Sequence, residues 1–214
     1  MTTLLFDIGA NVGKWALENA KTPTTRIVCV EASPATYYKL MRNVHGKNIN
    51  VLNRAVTSEP ISSATFYEAP GGTISSLNKD WIMSPRSRFG ESSPYQIAKI
   101  TSEIKVPTTT IDAMIATYGM PDLIKVDVEG AEHIVLPSLT QKAKTVCFEW
   151  ASEWDHEAFL CIDHMVSLGY TQFHIQYNDE YAYRPAQYEL TADDVKAAFK
   201  TMKPYTEWGM IWCQ

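Results

Sequence analysis

Cysteine is scarce in this chain: four in 214 residues, at Cys29, Cys147, Cys161 and Cys213, each inside an apolar run. No two stand at C-x-x-C spacing, which leaves zinc and thioredoxin-like chemistry without support. They read as small buried hydrophobes of a reducing compartment. No apolar run approaches the ~20 residues that a membrane span needs. The N-terminus also lacks the charged-then-apolar pattern of a signal peptide. The expectation is a soluble, cytoplasmic protein with no membrane span. Positive charge is thin as well: 19 Lys and Arg against 24 Asp and Glu leave a formal charge of −5, with no basic cluster. Nucleic acid is therefore not an expected partner, because neutralising phosphates needs concentrated positive charge. Internal repeats and low-complexity tracts are absent too.

What is present is an alternation of strand and helix signals. TLLFDI precedes a helical pattern with Val12, Trp15, Ala16 and Ala20 on one face. IVCV precedes SPATYYKLMRNVHG, where Ser33 can cap, Pro34 suits a first turn, and Tyr37, Leu40, Met41 and Val44 share a face. INVLNRAV is a third strand. Ile111, Met114, Ile115 and Tyr118 form another helical face closed by Gly119. DLIKVDV, TVCFEW, YTQFHI and WGMIWC are further strands, AEHIVL starts a helix that stops near Pro137, and Phe159, Ile162 and Val166 mark one more helix. Thr191 and Asp194 predict a capping box ahead of Val195, Ala198, Phe199 and Met202. Near-continuous apolar strands separated by helices predict an α/β, doubly wound, mostly parallel sheet with helices on both faces. At this length we expect a single domain over residues 1–214. The stretch from about 57 to 106 breaks the rhythm. It holds half of a hairpin in ATFYEAPGG and then a Ser-, Pro- and Gly-rich run, read as a lid or acceptor loop, with plain disorder the rival for residues 84–96.

The first turn, LLFDIGANVGKW, poses the functional question. A dinucleotide fingerprint needs G-x-G-x-x-G, and Asn11 and Lys14 stand where its second and third glycines belong. A Walker loop needs Ser or Thr after G-K, and Trp15 stands there. Taken alone the turn could be a tight strand–helix connection with no ligand; the alternative ligand is S-adenosylmethionine, which has no phosphate, carries a sulfonium and ends in an amino acid. Asp7 at a strand end suits its positive groups, Gly9 and Gly13 allow close backbone approach, and Glu31 at the next strand end is placed for the two ribose hydroxyls.

A second constellation lies in DLIKVDVEGAEHIVL. Asp127 ends a strand, Glu129 follows, Gly130 permits a turn and Glu132 opens a helix, where the helix dipole accounts for its charge. Asp127 faces the crevice in which doubly wound sheets bind ligands. The runs DIGANVG, VEASP and IKVDVEGAE, in this order and spacing, resemble the FkbM family of class I S-adenosylmethionine-dependent methyltransferases. TISSL at 73–77 and FEW at 148–150 also sit where that family has similar runs.

The resemblance implies a seven-stranded Rossmann-like sheet in the order 3-2-1-4-5-7-6 with the last strand, WGMIWC, antiparallel. It implies methyl transfer to oxygen, with sugar, deoxysugar and polyketide hydroxyls as acceptors in characterised members. It places Asp7, Gly9, Ala10, Asn11 and Gly13 in the cofactor loop, Glu31 and Ala32 at the ribose, Arg54 and Ala55 beside adenine, and Asp127 near the methionine end. The first strand begins almost at Met1, whereas many relatives carry earlier elements; a minimal form or a domain excised from a longer polypeptide, such as a glycosyltransferase fusion, would fit. For the proton of the acceptor hydroxyl, His133, Asp127, Glu129 and Glu149 are rival bases. Asp127 and Glu149 could also hold a divalent metal, which is not expected. Trp150 and Trp154, with Ser76 of TISSL, Arg86 and Arg88 from the long loop, are the candidate acceptor contacts. RNA, protein and a non-catalytic cofactor-binding module remain alternative readings.

Overall fold

The run Thr3–Ile8 forms strand β1, whose last five side chains are all buried, the pattern of a strand covered on both faces. In the computed structural model, which describes residues 2–90 and 99–214, β1 is an inner strand of a seven-stranded sheet. In chain order the remaining elements of the first half are α1 (Lys14–Asn19), β2 (Thr25–Glu31), α2 (Pro34–Asn43), β3 (Ile49–Asn53), β4 (Ala55–Val56), β5 (Ser63–Glu68) and α3 (Lys79–Met83). After these come β6 (Ser102–Thr109), α4 (Ile111–Tyr118), β7 (Leu123–Val126) and α5 (Glu132–Val135). The chain then runs through β8 (Val146–Ala151), α6 (Asp155–Ser167), β9 (Phe173–Tyr177), α7 (Ala192–Phe199) and β10 (Trp208–Cys213). The large sheet has the order β3-β2-β1-β7-β8-β10-β9. All neighbours run parallel except β10, which is antiparallel to both β8 and β9. This is the order that the family resemblance implied, with WGMIWC as the reversed strand.

Local signals place the helices. The Ser33 hydroxyl accepts from the Thr36 amide, and Pro34 occupies the first turn of α2. Thr191 and Asp194 form a reciprocal capping box on α7. Two helical faces are rotated from the pattern read in the sequence. Met41 and Val166 are exposed, and α6 buries Ala158, Cys161, Ile162 and Met165 instead. The AEHIVL helix is a single turn, because Pro137 forces a tighter turn over Leu136–Ser138.

Each sheet face has its own core. One joins Phe6, Val28, Ile124 and Phe148 to α4, α6 and α7. On the other face α1 and α2 cover the β1–β3 half with Trp15, Ala16 and Leu40, while Tyr181, Tyr183 and Tyr188 of the loop after β9 pack against the Cys147 and Trp212 side. All four cysteines are free and buried. The irregular stretch contains β5, which pairs antiparallel with β6; β6 also pairs with β4, making a small three-stranded sheet. Residues 91–98 of the Ser-rich run lie outside the described residues.

Candidate active site

Parallel strands bring their carboxyl ends to one edge, and there a crevice of about 410 Å³ opens. Its wall is built in the lateral order of the strands: Arg54 and Ala55 after β3, Glu31 at the end of β2, Gly9 and Asn11 after β1, Asp127 after β7 and Glu149 on β8. The reversed strand β10 contributes Trp208 from its beginning, and the loop after β9 adds Asp179 and Tyr181.

The turn after β1 is held by a close backbone approach. A Cβ on Gly9 would lie 1.8 Å from the carbonyl oxygen of Asp127, and the residue has φ +79°. Glycine is thus needed for the meeting of β1 with β7, and the Asp127 amide donates to the Ile8 carbonyl across the same seam at 3.0 Å. Asn11 has φ 48° and Glu129 φ 57°, left-handed conformations that non-glycine residues adopt at an energetic cost. Both line the crevice. Gly13 precedes α1 and packs towards Leu40, off the crevice wall.

Glu31 is oriented by two backbone donors, the amides of Asn11 and Ser33, each at 2.9 Å. Burial pushes its carboxyl up to about 7, against the pull of those two hydrogen bonds. Its oxygens keep free lone pairs for vicinal hydroxyls, and the adjoining wall of Ala32, Ala55, Val56 and Phe66 is apolar enough for a base. The Arg54 guanidinium donates to the Thr108 carbonyl at 3.1 Å while lining this end. The donor set and the volume fit an adenosine.

Asp7 does not reach the crevice. It is fully buried and faces Lys125, whose ammonium lies 3.3 Å from Asp7 and 3.1 Å from Asp127. Burial raises the Asp7 pKa, and Lys125 opposes the rise. Asp7 therefore acts through Lys125, which in turn holds Asp127 at the wall. Spacing did not mark Lys125, which stands in an apolar strand; only pairing of β1 with β7 sets it beside Asp7.

At the far end Asp127, Glu129 and Glu149 bring carboxylate oxygens within 4.8 Å of one another. Burial and then the negative charge of Asp127 drive the Glu129 and Glu149 pKa values well up. Three oxygen donors at this separation could hold a divalent cation or share protons. Glu132 is turned away; it accepts from the Val128 amide at 2.8 Å, and burial raises it to about 8. It caps the turn with its side chain, a more specific part than the dipole interaction read from the sequence.

Several expected contacts lie elsewhere. His133 sits outside the crevice wall, with its pKa lowered by burial and with Glu157 and His156 as its charged neighbours. Side chains alternate along β8, so the placing of Glu149 in the crevice turns Trp150 into the core, edge-on to Phe199 at 5.2 Å. Trp154 packs edge-on against Trp81 at 5.3 Å. Arg88 is buried in a two-pronged pair with Glu153, at 2.6 and 2.8 Å, and donates to the Glu207 carbonyl. Arg86 pairs with Glu157 and lies 4.3 Å over the Trp154 ring. Both arginines thus fasten the described part of the loop to the α6 side. Ser76 donates to the Val128 carbonyl at 3.3 Å and is wholly buried, so it ties the small sheet to the β7 turn, while its neighbours Thr73, Ser75 and Leu77 reach the wall. Tyr181 and Trp208 are the C-terminal aromatics that line the crevice; their place depends on β10 running backwards, which no local pattern states.

The sequence from residue 7 to 185 matches the family model of the methyltransferase FkbM domain. This chain belongs to the FkbM methyltransferase family. Its cofactor is S-adenosylmethionine, and the crevice presents a buried carboxylate, Glu31, beside an apolar wall. The FkbM chain matches no curated protein sequence. Among solved structures it is similar to precorrin-6y C5,15-methyltransferase from Geobacter metallireducens, with TM-score 0.51 and 8% identity over 100% of this chain and 80% of that one. It also matches fibrillarin from Aeropyrum pernix with bound S-adenosyl-L-methionine, at TM-score 0.45 and 12% identity over 100% and 66%. A third match is the plantazolicin methyltransferase BpumL with S-adenosylhomocysteine, at TM-score 0.38 and 9% identity over 99% and 76%. No described helix of this FkbM methyltransferase is long and apolar enough to cross a membrane.

Proposed function

We propose that this methyltransferase acts on oxygen, and that the acceptor is a hydroxyl of a sugar, a deoxysugar of a glycan included. The observation that carries the reading is the meeting of Asp127, Glu129 and Glu149 at the acceptor end of the crevice. An alcohol is a weak nucleophile, so a transfer to it gains from a carboxylate that takes the hydroxyl proton, worth about 10²–10⁴-fold. Asp127 is engaged by Lys125, and Glu129 accepts from the Trp81 indole at 3.3 Å. Glu149 is the base we assign, as the third carboxylate of the cluster on the crevice wall. When bound, S-adenosylmethionine supplies a methyl on a sulfonium, open to in-line attack. The chain's own work is to hold adenosine at Glu31, align the acceptor oxygen, exclude water and receive one proton at Glu149.

The sugar assignment is supported by Tyr181 and Trp208 at the wall, whose ring faces suit the C–H face of a sugar, beside carboxylates that accept from hydroxyls. Residues of about 57–106 supply Gly71, Gly72, Thr73 and Ser75 to the same wall, and we assign this insertion to acceptor binding. A glycosyltransferase working on the same glycan, fused or separate, is the partner this reading implies. The test is transfer of labelled methyl from S-adenosylmethionine into separated glycan, small-molecule, RNA and protein fractions, with and without EDTA. Base-stable label in glycan supports the proposal. Label confined to RNA or protein overturns the acceptor class, and loss of turnover in EDTA replaces the carboxylate base with a bound cation.

A further inference from the structure

We propose that the loop after β9 is a clamp on the amino-acid end of the cofactor, with Asp179 receiving its α-ammonium and Arg184 holding the clamp in place. Strand β9 is the outer strand of the sheet, three strand spacings from β7, or about 14 Å. The loop leaves β9 through Asn178, whose φ is 63°, and returns across that distance to the first helix. There the Asn19 side chain donates to the Tyr181 carbonyl at 3.0 Å. Arg184 completes the fastening: its guanidinium lies 5.5 Å from the Trp15 ring and 5.5 Å from the Trp212 ring, and donates to the Asn19 side-chain oxygen. Tyr183 stacks on His174 at 5.7 Å.

The clamp sets Asp179 and Tyr181 on the crevice wall beside Trp15 and Asp127. The carboxylate of Asp179 lies near Tyr181, and its charged neighbours are Asp127, Lys125 and Asp7. Lys125 is already paired with Asp7 and Asp127. Asp7, Asp127 and Asp179 share this one ammonium, and Glu129 and Glu149 lie beside Asp127, a deficit of positive charge at the end of the crevice opposite Ala55. Glu31 fixes the ribose, so the amino-acid tail extends from it past Gly9 towards this end. An α-ammonium there removes part of the deficit, and a charge-assisted hydrogen bond to Asp179 follows.

The test compares two ligands by isothermal titration calorimetry. S-adenosylhomocysteine carries the amino-acid tail, and 5′-methylthioadenosine keeps the nucleoside without it. Asp179→Asn is expected to weaken the first about tenfold and to leave the second within about twofold of wild type. Arg184→Ala is expected to give the same selective loss, because it frees the loop, whereas Glu31→Ala weakens both ligands. Unchanged affinity of Asp179→Asn for S-adenosylhomocysteine overturns the proposal. So does an equal loss for both ligands, which marks Asp179 as a support of the fold. Wild-type protein that binds neither ligand overturns the clamp together with the placement of adenosine at Glu31.

Discussion

On the proposed reading, Glu31 carries both cofactor binding and its pH dependence. Its carboxyl titrates near 7 because it is buried, and ribose hydroxyls donate better to the ionised form. Affinity for S-adenosylhomocysteine is therefore expected to fall about tenfold between pH 8 and pH 6, with Glu31→Gln weaker throughout and nearly flat across that range. Calorimetry at the two pH values checks this. Glu149 makes the matching prediction for catalysis. As the base it must be ionised, and its pKa is raised, so turnover falls on acidification through that raised value. Glu149→Gln is expected to lose about 10²–10⁴-fold in kcat with little change in cofactor affinity. Asp127→Asn is expected to lose turnover too, and to leave Lys125 in its ion pair with Asp7. Wild-type turnover in either variant would remove that residue from the reacting centre.

Among the elements, two contacts hold the site's shape. Gly9→Ala places a methyl against the Asp127 carbonyl, so β1 and β7 must separate at their ends. Loss of S-adenosylhomocysteine binding and a lower Tm are expected together, both read by thermal melts with and without ligand. Arg88→Ala leaves Glu153 buried without its guanidinium, and a cost of about 3–5 kcal/mol is expected in urea unfolding. Arg88→Lys is expected to recover part of the loss, because lysine keeps the charge and forfeits the two-pronged geometry. At this scale much was legible in the sequence. Ser33, Pro34, Thr191 and Asp194 act through neighbours within four residues, so their caps could be read locally. The faces of α2 and α6 were read with an error at Met41 and Val166, because periodicity gives a stripe and packing decides where its edge falls.

For the molecule as a whole, several raised carboxyls point one way. Glu31 and Glu132 hold their protons to about 7 and 8, whereas an unfolded glutamate releases its proton near 4.5. The folded state thus binds more protons between those values, and stability falls as pH rises through that window. The cofactor-free protein is expected to melt several degrees higher at pH 5.5 than at pH 8, and S-adenosylhomocysteine is expected to raise the pH 8 value most. A Tm that climbs with pH would show that these carboxyls are ionised in the folded protein.

The amino-acid sequence by itself determined the strand and helix alternation, the turn at Gly9–Asn11, the carboxylate at the end of β2 and the Asp127–Glu129 run, because each is encoded by residues a few positions apart. Tertiary structure alone decided what those residues face. Asp7 turned inward to Lys125 because two strands 118 positions apart pair side by side. Trp150 went to the core because Glu149 took the crevice, and side chains of a strand alternate. Tyr181, Asp179 and Trp208 came to the wall because β10 runs against its neighbours and the loop after β9 crosses back to α1. Partners so distant in the chain meet only when the sheet closes its order, and charge and burial there are properties of that meeting.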